Sequence, residues 1–258
     1  VAKITFLGTG TSQGVPFIGC TCAVCSSKDP RDNRLRSAIW VQSEETSVVI
    51  DAGPDFRYQM LRARVPRIDA IVFTHGHKDH VAGLDDVRAY NYWQNEGIDL
   101  YADPNAEEIL RREFHYAFSG VSYPGIPVLN IRPMTGAPFI IGDLDFIPVK
   151  VLHYKLDVYG YRIGDFTYIT DANYIAPEEM DKIRGSRFLV LNALRHETHI
   201  SHFTLEEAIA IARDIGAERT YFTHASHQLG LHTEIEAGLP DGMFMAYDGL
   251  VLDIDEKA

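Results

Sequence analysis

Three histidines and an aspartate fall within six positions of the stretch "FTHGHKDH": His75, His77, Asp79 and His80. Crowded imidazoles and carboxylates need partners, so such a cluster is either a solvated turn or a ligand set for something strongly positive. His75 and His77, two apart, share a direction on extended backbone, whereas Asp79 and His80 lie where a helix opens and can face a second point. Two cations about 3.5–4 Å apart, bridged by a carboxylate and a water, would use all four residues. Imidazole and carboxylate without thiolate suit Zn, Mn or Fe held for hydrolysis, with one coordination position left for water. Lys78 cannot ligate while charged and is expected to face solvent.

The other residues of ligand type recur where strands should end. His153 follows "FIPVKVL", Asp171 follows "FTYIT", His224 and His227 follow "TYFT", and His202 stands just before a helix. A strand exit delivers a side chain to one edge of a sheet, so strands far apart in sequence can pool ligands in one place.

The elements that must do this positioning alternate along the chain. "KITFLG", "SAIWVQ", "SVVIDAG" and "DAIVFT" read as strands, with a helical "PDFRYQMLRAR" before the last of them. After the histidine cluster come a helical "DDVRAYNYW", a strand "IDLYA", and a helix over 105–115 that Pro104 opens. The middle is all strand: "VLNIRP", "APFII", "LDFIPVKVLH", "VYGYRI" and "FTYITDA", with "IGDLD" and "IGDF" as turns. β/α units then close the chain: "PEEMDKIRG" into "RFLVLNAL", "TLEEAIAIARDIG" into "RTYFTHAS", and a short helix before "MFMAYDGLVLDID". Thr204 and Glu207 form a capping box for the helix that Gly216 stops. Hairpins followed by β/α units, twice over, predict two sheets packed together with helices outside. The least patterned segment, 115–127, is expected to be a surface loop.

The three cysteines of the chain, Cys20, Cys22 and Cys25, sit together in "CTCAVC". An odd, clustered set reads as a metal site rather than a disulfide framework. Three thiols need one further ligand to close a tetrahedral zinc, and a closed Cys3His set is structural.

Bulk properties set outer limits. With 258 residues, 46% hydrophobic and 23% charged, the chain can bury a full core, and one domain over 1–258 is expected, with a Cys-rich zinc loop at about 19–26. A formal charge of −12 disfavours a large phosphate-backbone footprint, since Lys and Arg supply that affinity. A small anionic substrate stays compatible when metal ions bring positive charge locally. No stretch has the length of a membrane span or the layout of a signal peptide, so the cytoplasm is the expected compartment.

"THGHKDH" matches H-x-H-x-D-H, and the chain resembles the metallo-β-lactamase superfamily. The resemblance extends through "FLGTGTSQGVP", "VVIDAGPDFR", "GYRIGDFTYITDA" and "THASHQLG". It implies an α/β, four-layer αββα sandwich of two mixed sheets with helices outside. It also implies two divalent cations, Zn or Mn: His75, His77 and His153 on one, Asp79, His80 and His224 on the other, Asp171 bridging. Within the superfamily, the phosphodiesterase that opens phosphoribosyl 1,2-cyclic phosphate has such a cysteine loop, completed by a histidine three residues after a catalytic-metal ligand. His227 has that place here, with His232 the weaker candidate for the structural zinc.

The same resemblance makes His202, before Phe203 and Thr204, the non-ligand catalytic histidine. His199 would contact phosphate or brace its loop; His196 and His115 are expected on the surface. The implied activity is metal-dependent hydrolysis of a small phosphodiester, cyclic ones included, with Asp79 and His202 in the reaction. A tRNA 3′-processing endonuclease has the same core, but its Gly/Pro-rich tRNA-clamping arm is not recognisable here. A non-catalytic metal-binding module retaining the fold is the reading from another class, and degeneration should have removed ligands. A homodimer is compatible with all of these.

Overall fold

The computed structural model describes residues 1–120, 123 and 125–255. Among these the strands are β1 (Ala2–Gly8), β2 (Ala38–Gln42), β3 (Ser47–Ile50), β4 (Ala70–Val72), β5 (Ile98–Ala102), β6 (Leu129–Pro133), β7 (Phe139–Ile141) and β8 (Leu144–His153). They continue as β9 (Leu156–Ile163), β10 (Phe166–Tyr168), β11 (Tyr174–Ile175), β12 (Phe188–Asn192), β13 (Arg219–Thr223), β14 (Met243–Met245) and β15 (Val251–Ile254). The helices are α1 (Phe56–Ala63), α2 (Lys78–Val81), α3 (Arg88–Gln94), α4 (Pro104–Glu113), α5 (His115–Phe118), α6 (Pro177–Ile183), α7 (Leu205–Ile215) and α8 (His232–Gly238).

Two mixed sheets form. One runs β15-β1-β2-β3-β4-β5-β6; the other runs β11-β8-β9-β10-β12-β13-β14, with β7 on β8. Each begins with antiparallel pairs and ends with parallel ones, β3-β4-β5-β6 in the first and β10-β12-β13-β14 in the second. Three apolar clusters separate four layers. Val48, Ile50, Ala70 and Val72 meet Tyr161, Phe166, Tyr168 and Val190 between the sheets. Their chain neighbours Val49 and Ile71 face Phe56, Met60 and Leu110 of α1 and α4. Leu189 and Leu191 face Leu205, Ala208 and Ala212 of α7. The strand period of two thus sends alternate residues into different cores, which makes register hard to slip. This is the αββα sandwich expected from the sequence.

Local signals hold where their physics is short-range. Thr204 Oγ1 accepts from Glu207 N at 3.2 Å while Glu207 Oε2 accepts from Thr204 N at 2.8 Å, and Gly216 ends α7 at φ +70°. Two expectations change. "MFMAYDGLVLDID" is two strands, not one: β14 joins the second sheet beside β13, and β15 crosses back to pair with β1 in the first. The segment 115–127 begins as α5 rather than as loop; Val121, Ser122 and Pro124 lie outside the described residues. Among the described residues no helix is long and apolar enough to cross a membrane.

Candidate metal centre

Strand exits converge at one edge of the sandwich. β4 leads into His75 and His77, α2 carries Asp79 and His80, β8 ends on His153, and Asp171 and His224 follow β10 and β13. The His75 ring lies 4.6 Å from His77, 4.2 Å from His80 and 5.8 Å from His153. His77 and His153 are 5.2 Å apart. Ligand atoms of His75, His80 and Asp171 all lie within 4.8 Å of one another, as do those of His153, Asp171 and His202. Asp171 is the member common to both groups. Its Oδ2 is 3.3 Å from His80 Nε2 and 3.3 Å from His224 Nδ1, and Asp79 Oδ2 is 3.2 Å from His80 Nε2.

What lies behind the imidazoles orients them. Asp51, buried at the end of β3, accepts from Thr74 N at 2.9 Å, Thr74 Oγ1 at 2.8 Å and His80 Nδ1 at 2.7 Å. Thr74 Oγ1, its proton spent on Asp51, accepts from His75 Nδ1 at 3.0 Å. Ser37 Oγ donates to Gly10 O at 3.0 Å and accepts from His224 Nδ1 at 3.1 Å. His153 Nδ1 donates to Ser201 O at 2.8 Å. His75, His80 and His153 thus spend their Nδ1 protons on groups behind the rings and leave Nε2 free to ligate, which is how ligating histidines are held, while His224 Nδ1 lies between Ser37 Oγ and Asp171 Oδ2.

The Nε2 atoms of His75, His80 and His224 are buried with no hydrogen-bond partner. That of His80 faces carboxylate oxygens at 3.2 and 3.3 Å, and a lone pair there is repelled unless a proton or a cation lies between. Burial works against charge on His80, but the carboxylates of Asp171, Asp51 and Asp79 outweigh it and push that ring's pKa well above the usual imidazole value. His75 and His224, buried with less compensation, are pushed down. The donor set fits divalent cations of the borderline class.

Backbone conformation reflects the same convergence. Of the non-glycine residues at positive φ among those described, Asp51 (68°), Tyr154 (59°), Asp171 (54°) and His224 (57°) lie at this edge, and Arg64 and Asn95 close α1 and α3. Strain of this kind persists where surrounding contacts over-determine it. Gly53 allows α2 its close approach: a Cβ there would lie 1.9 Å from Asp79 O, and Ala52 N donates to His80 O at 2.8 Å.

His202 is buried beside these residues, its ring 4.5 Å from His153 and 4.8 Å from His224, with Nδ1 unpartnered. Burial, then the neighbouring His224, pushes its pKa down to about 3. His199 stands 5.1 Å from His202, its Nδ1 against Ser201 Oγ at 3.3 Å. An open cleft of about 500 Å3 lined by His77, His153, Tyr154, Lys155, Leu156, Ile200 and Ser201 leads to the cluster. His196 pairs with Glu206 at 2.8 Å on the surface, His115 is exposed, and Lys78 faces solvent against Glu113. Asp51, Ser37, Thr74 and Ser201 were not among the residues singled out in the sequence; the rule that polar residues at strand exits matter, applied to "SVVID", would have found Asp51.

The cysteines gather as well. Cys20, Cys22, Cys25 and His227 place their ligand atoms within 4.8 Å of one another, with His227 Nδ1 3.4 Å from both Cys20 Sγ and Cys22 Sγ. Tetrahedral zinc bond lengths imply a nitrogen-to-sulfur separation of about 3.6 Å, so the geometry suits that ion. His232 is corrected out of the set: its Nδ1 lies 3.1 Å from the guanidinium of buried Arg34, and its Nε2 faces Glu236. The thiols are electronically distinct. Hydrogen bonds from Cys25 N and His227 lower the Cys22 pKa to about 6, while burial raises that of Cys25 to about 11. In metal-stripped protein at pH 7, iodoacetamide should therefore modify Cys22 before Cys25, read by peptide mass spectrometry. Zinc should protect all three, and equal labelling rates of Cys22 and Cys25 without zinc would refute the ordering.

A family model described as the beta-lactamase superfamily domain matches residues 46–225. The chain belongs to the metallo-β-lactamase superfamily. A solved structure of a new diphosphatase from the PhnP family is 42% identical, covers 100% of this chain and 99% of its own, and superposes with a TM-score of 0.93. An octanoyltransferase of Porphyromonas gingivalis is 40% identical over 258 residues, 99% of this chain and 52% of that protein. A ribonuclease Z of Nostoc punctiforme is 28% identical over 169 residues, 63% of this chain and 47% of that protein. The chain thus spans about half the length of these two curated relatives. It has the metallo-β-lactamase fold with its His/Asp and Cys clusters assembled.

Proposed function

We propose that this protein is a hydrolase, a metal-dependent phosphodiesterase acting on a small phosphate ester. His75, His77 and His153 would hold one divalent cation, Asp79, His80 and His224 a second, and Asp171 both; Cys20, Cys22, Cys25 and His227 would hold a structural zinc. The observation that carries the reading is the set of buried, unpartnered Nε2 atoms on His75, His80 and His224, that of His80 facing the carboxylates of Asp79 and Asp171 at 3.2 and 3.3 Å. Two divalent ions so held would acidify a water for attack on phosphorus and offset charge on the phosphoryl oxygens.

The chain's own residues supply the rest. Asp51, Thr74, Ser37 and Ser201 O fix the imidazole tautomers through the hydrogen bonds behind the rings. In this reading His202, beside His153 and His224, gives a departing alkoxide its proton, and a phosphoryl group beside it favours its protonated form. The cleft along His77, His153 and Ser201 receives the remainder of the substrate. His199, next to His202, contacts phosphate in this reading.

A second reading is favoured by the 42% identity to a protein named a diphosphatase. Attack on a diphosphate bridge uses the same ligands, but a phosphate leaving group departs without a proton, so His202 would be dispensable. Ribonuclease-type chemistry is disfavoured by the net charge of −12.

The test is a screen of metal-reconstituted protein against bis(p-nitrophenyl) phosphate, small cyclic phosphates, a diphosphate-bridged dinucleotide and a tRNA precursor. Ester hydrolysis without tRNA cleavage is expected. A dimetal protein inert toward every diester would sink the proposal, and cleavage of the diphosphate bridge alone would establish the second reading.

A further inference from the structure

Strands β8 and β9 are joined by two residues, Tyr154 and Lys155, lying between the paired His153 and Leu156. A two-residue hairpin with positive φ at its first central position favours glycine there. Tyr154 takes that position at φ +59°. An L side chain in this region crowds its own backbone, and the turn is held by Tyr154 N donating to Asn173 Oδ1 at 2.7 Å.

Burial does not explain a tyrosine there. The residue is 50% exposed, and its ring contact is the Lys155 ammonium, 5.3 Å from the ring centroid. The side chain instead lines the cleft that leads to the metal centre, together with Leu156 and Ile200, the latter 66% exposed. His77 and His153 form the inner end of the same cleft, and Lys155 is the lysine among its lining residues. Where a sequence breaks a local conformational rule without packing gain, function is the usual reason.

We propose that Tyr154 is a specificity-determining residue whose ring stacks on a planar aromatic group of the substrate, carried in the cleft beside His77 and His153. Ile200 supplies apolar contact in the same cleft, and Lys155 suits negative charge on the substrate. This rests on the reading that the cleft serves phosphate-ester chemistry at the adjoining centre.

The test compares binding of AMP and ribose 5-phosphate, which differ by the planar base, to metal-loaded protein by calorimetry. Wild type should prefer AMP by about tenfold, the scale of one base–aromatic stack. Tyr154→Phe should keep that preference and Tyr154→Gly should lose it. Because glycine adopts the turn without crowding, Tyr154→Gly should melt no lower than wild type. Equal affinities in wild type, or a preference that survives in Tyr154→Gly, would overturn the assignment. A lower melting temperature in Tyr154→Gly would make the ring a folding element instead. Turnover is not read here: a protein inert toward all diesters that still prefers AMP would remove the phosphodiesterase reading and leave the stacking role standing.

Discussion

Replacing His202 with alanine is expected to lower kcat toward an alkyl diester by about 10²- to 10⁴-fold, the usual contribution of a positioned acid or base, without loss of bound metal. The ring sits beside anchored backbone: Phe203 N donates to Ala172 O at 2.8 Å, Leu194 N donates to Phe203 O at 3.0 Å, and Thr204 caps α7. Removing an imidazole from this frame therefore leaves the loop in place. The resting ring is neutral, since burial and His224 hold its pKa at about 3. An arriving phosphoryl group stabilises the protonated form, so the wild-type rate should fall at high pH as that proton is lost, and the alanine variant should lack this limb. Metal content by elemental analysis with a pH profile separates the roles. Full activity in the variant would refute the acid, and loss of an ion would make His202 a ligand, as its proximity to His153 and Asp171 permits.

Where sequence and structure agree, the cause is short-range or periodic. The alternation in "SVVI" and "AIV" gives both the strands and the faces they bury, because a period of two sends Val49 and Ile71 to one core and their neighbours to the other. Spacing in "THGHKDH" likewise puts His75 and His77 before α2 and Asp79 and His80 within it. β11 escapes notice because its two residues carry no period, and β14 and β15 look continuous because only long-range pairing shows that the chain changes sheets between them.

The site divides in the same way. Ligand-type residues announce themselves by composition at strand exits, whereas their supports are ordinary residues given meaning by three-dimensional neighbours. Ser37 reaches His224 from 187 residues away, and Ser201 contributes a backbone carbonyl that no side-chain motif can report. His232 is the converse case: an imidazole near the cysteine-loop partner in sequence, yet committed to the Arg34 guanidinium.

Loss of Asp171 is expected to be the most damaging single change, and two substitutions separate its contributions. Asparagine preserves the size of the side chain and tolerates the left-handed backbone, φ +54°, while removing the charge. Alanine removes the charge and fits that conformation less well. Both variants should bind divalent metal at least about 100-fold more weakly, beyond the effect of losing an outer support, because Asp171 Oδ2 is the carboxylate oxygen lying 3.3 Å from both His80 and His224. Both should also be inactive toward bis(p-nitrophenyl) phosphate. Asp171→Ala should in addition melt below Asp171→Asn when the variants are compared free of metal, since Asp171→Asn keeps an oxygen able to accept the Thr170 Oγ1 hydrogen bond, made at 2.6 Å in the wild type. Competition titration with a chromogenic chelator measures the affinities, and calorimetry the melting. An Asp171→Asn protein with wild-type metal affinity would show that the imidazoles alone hold the ions, and the bridging role would fall with it.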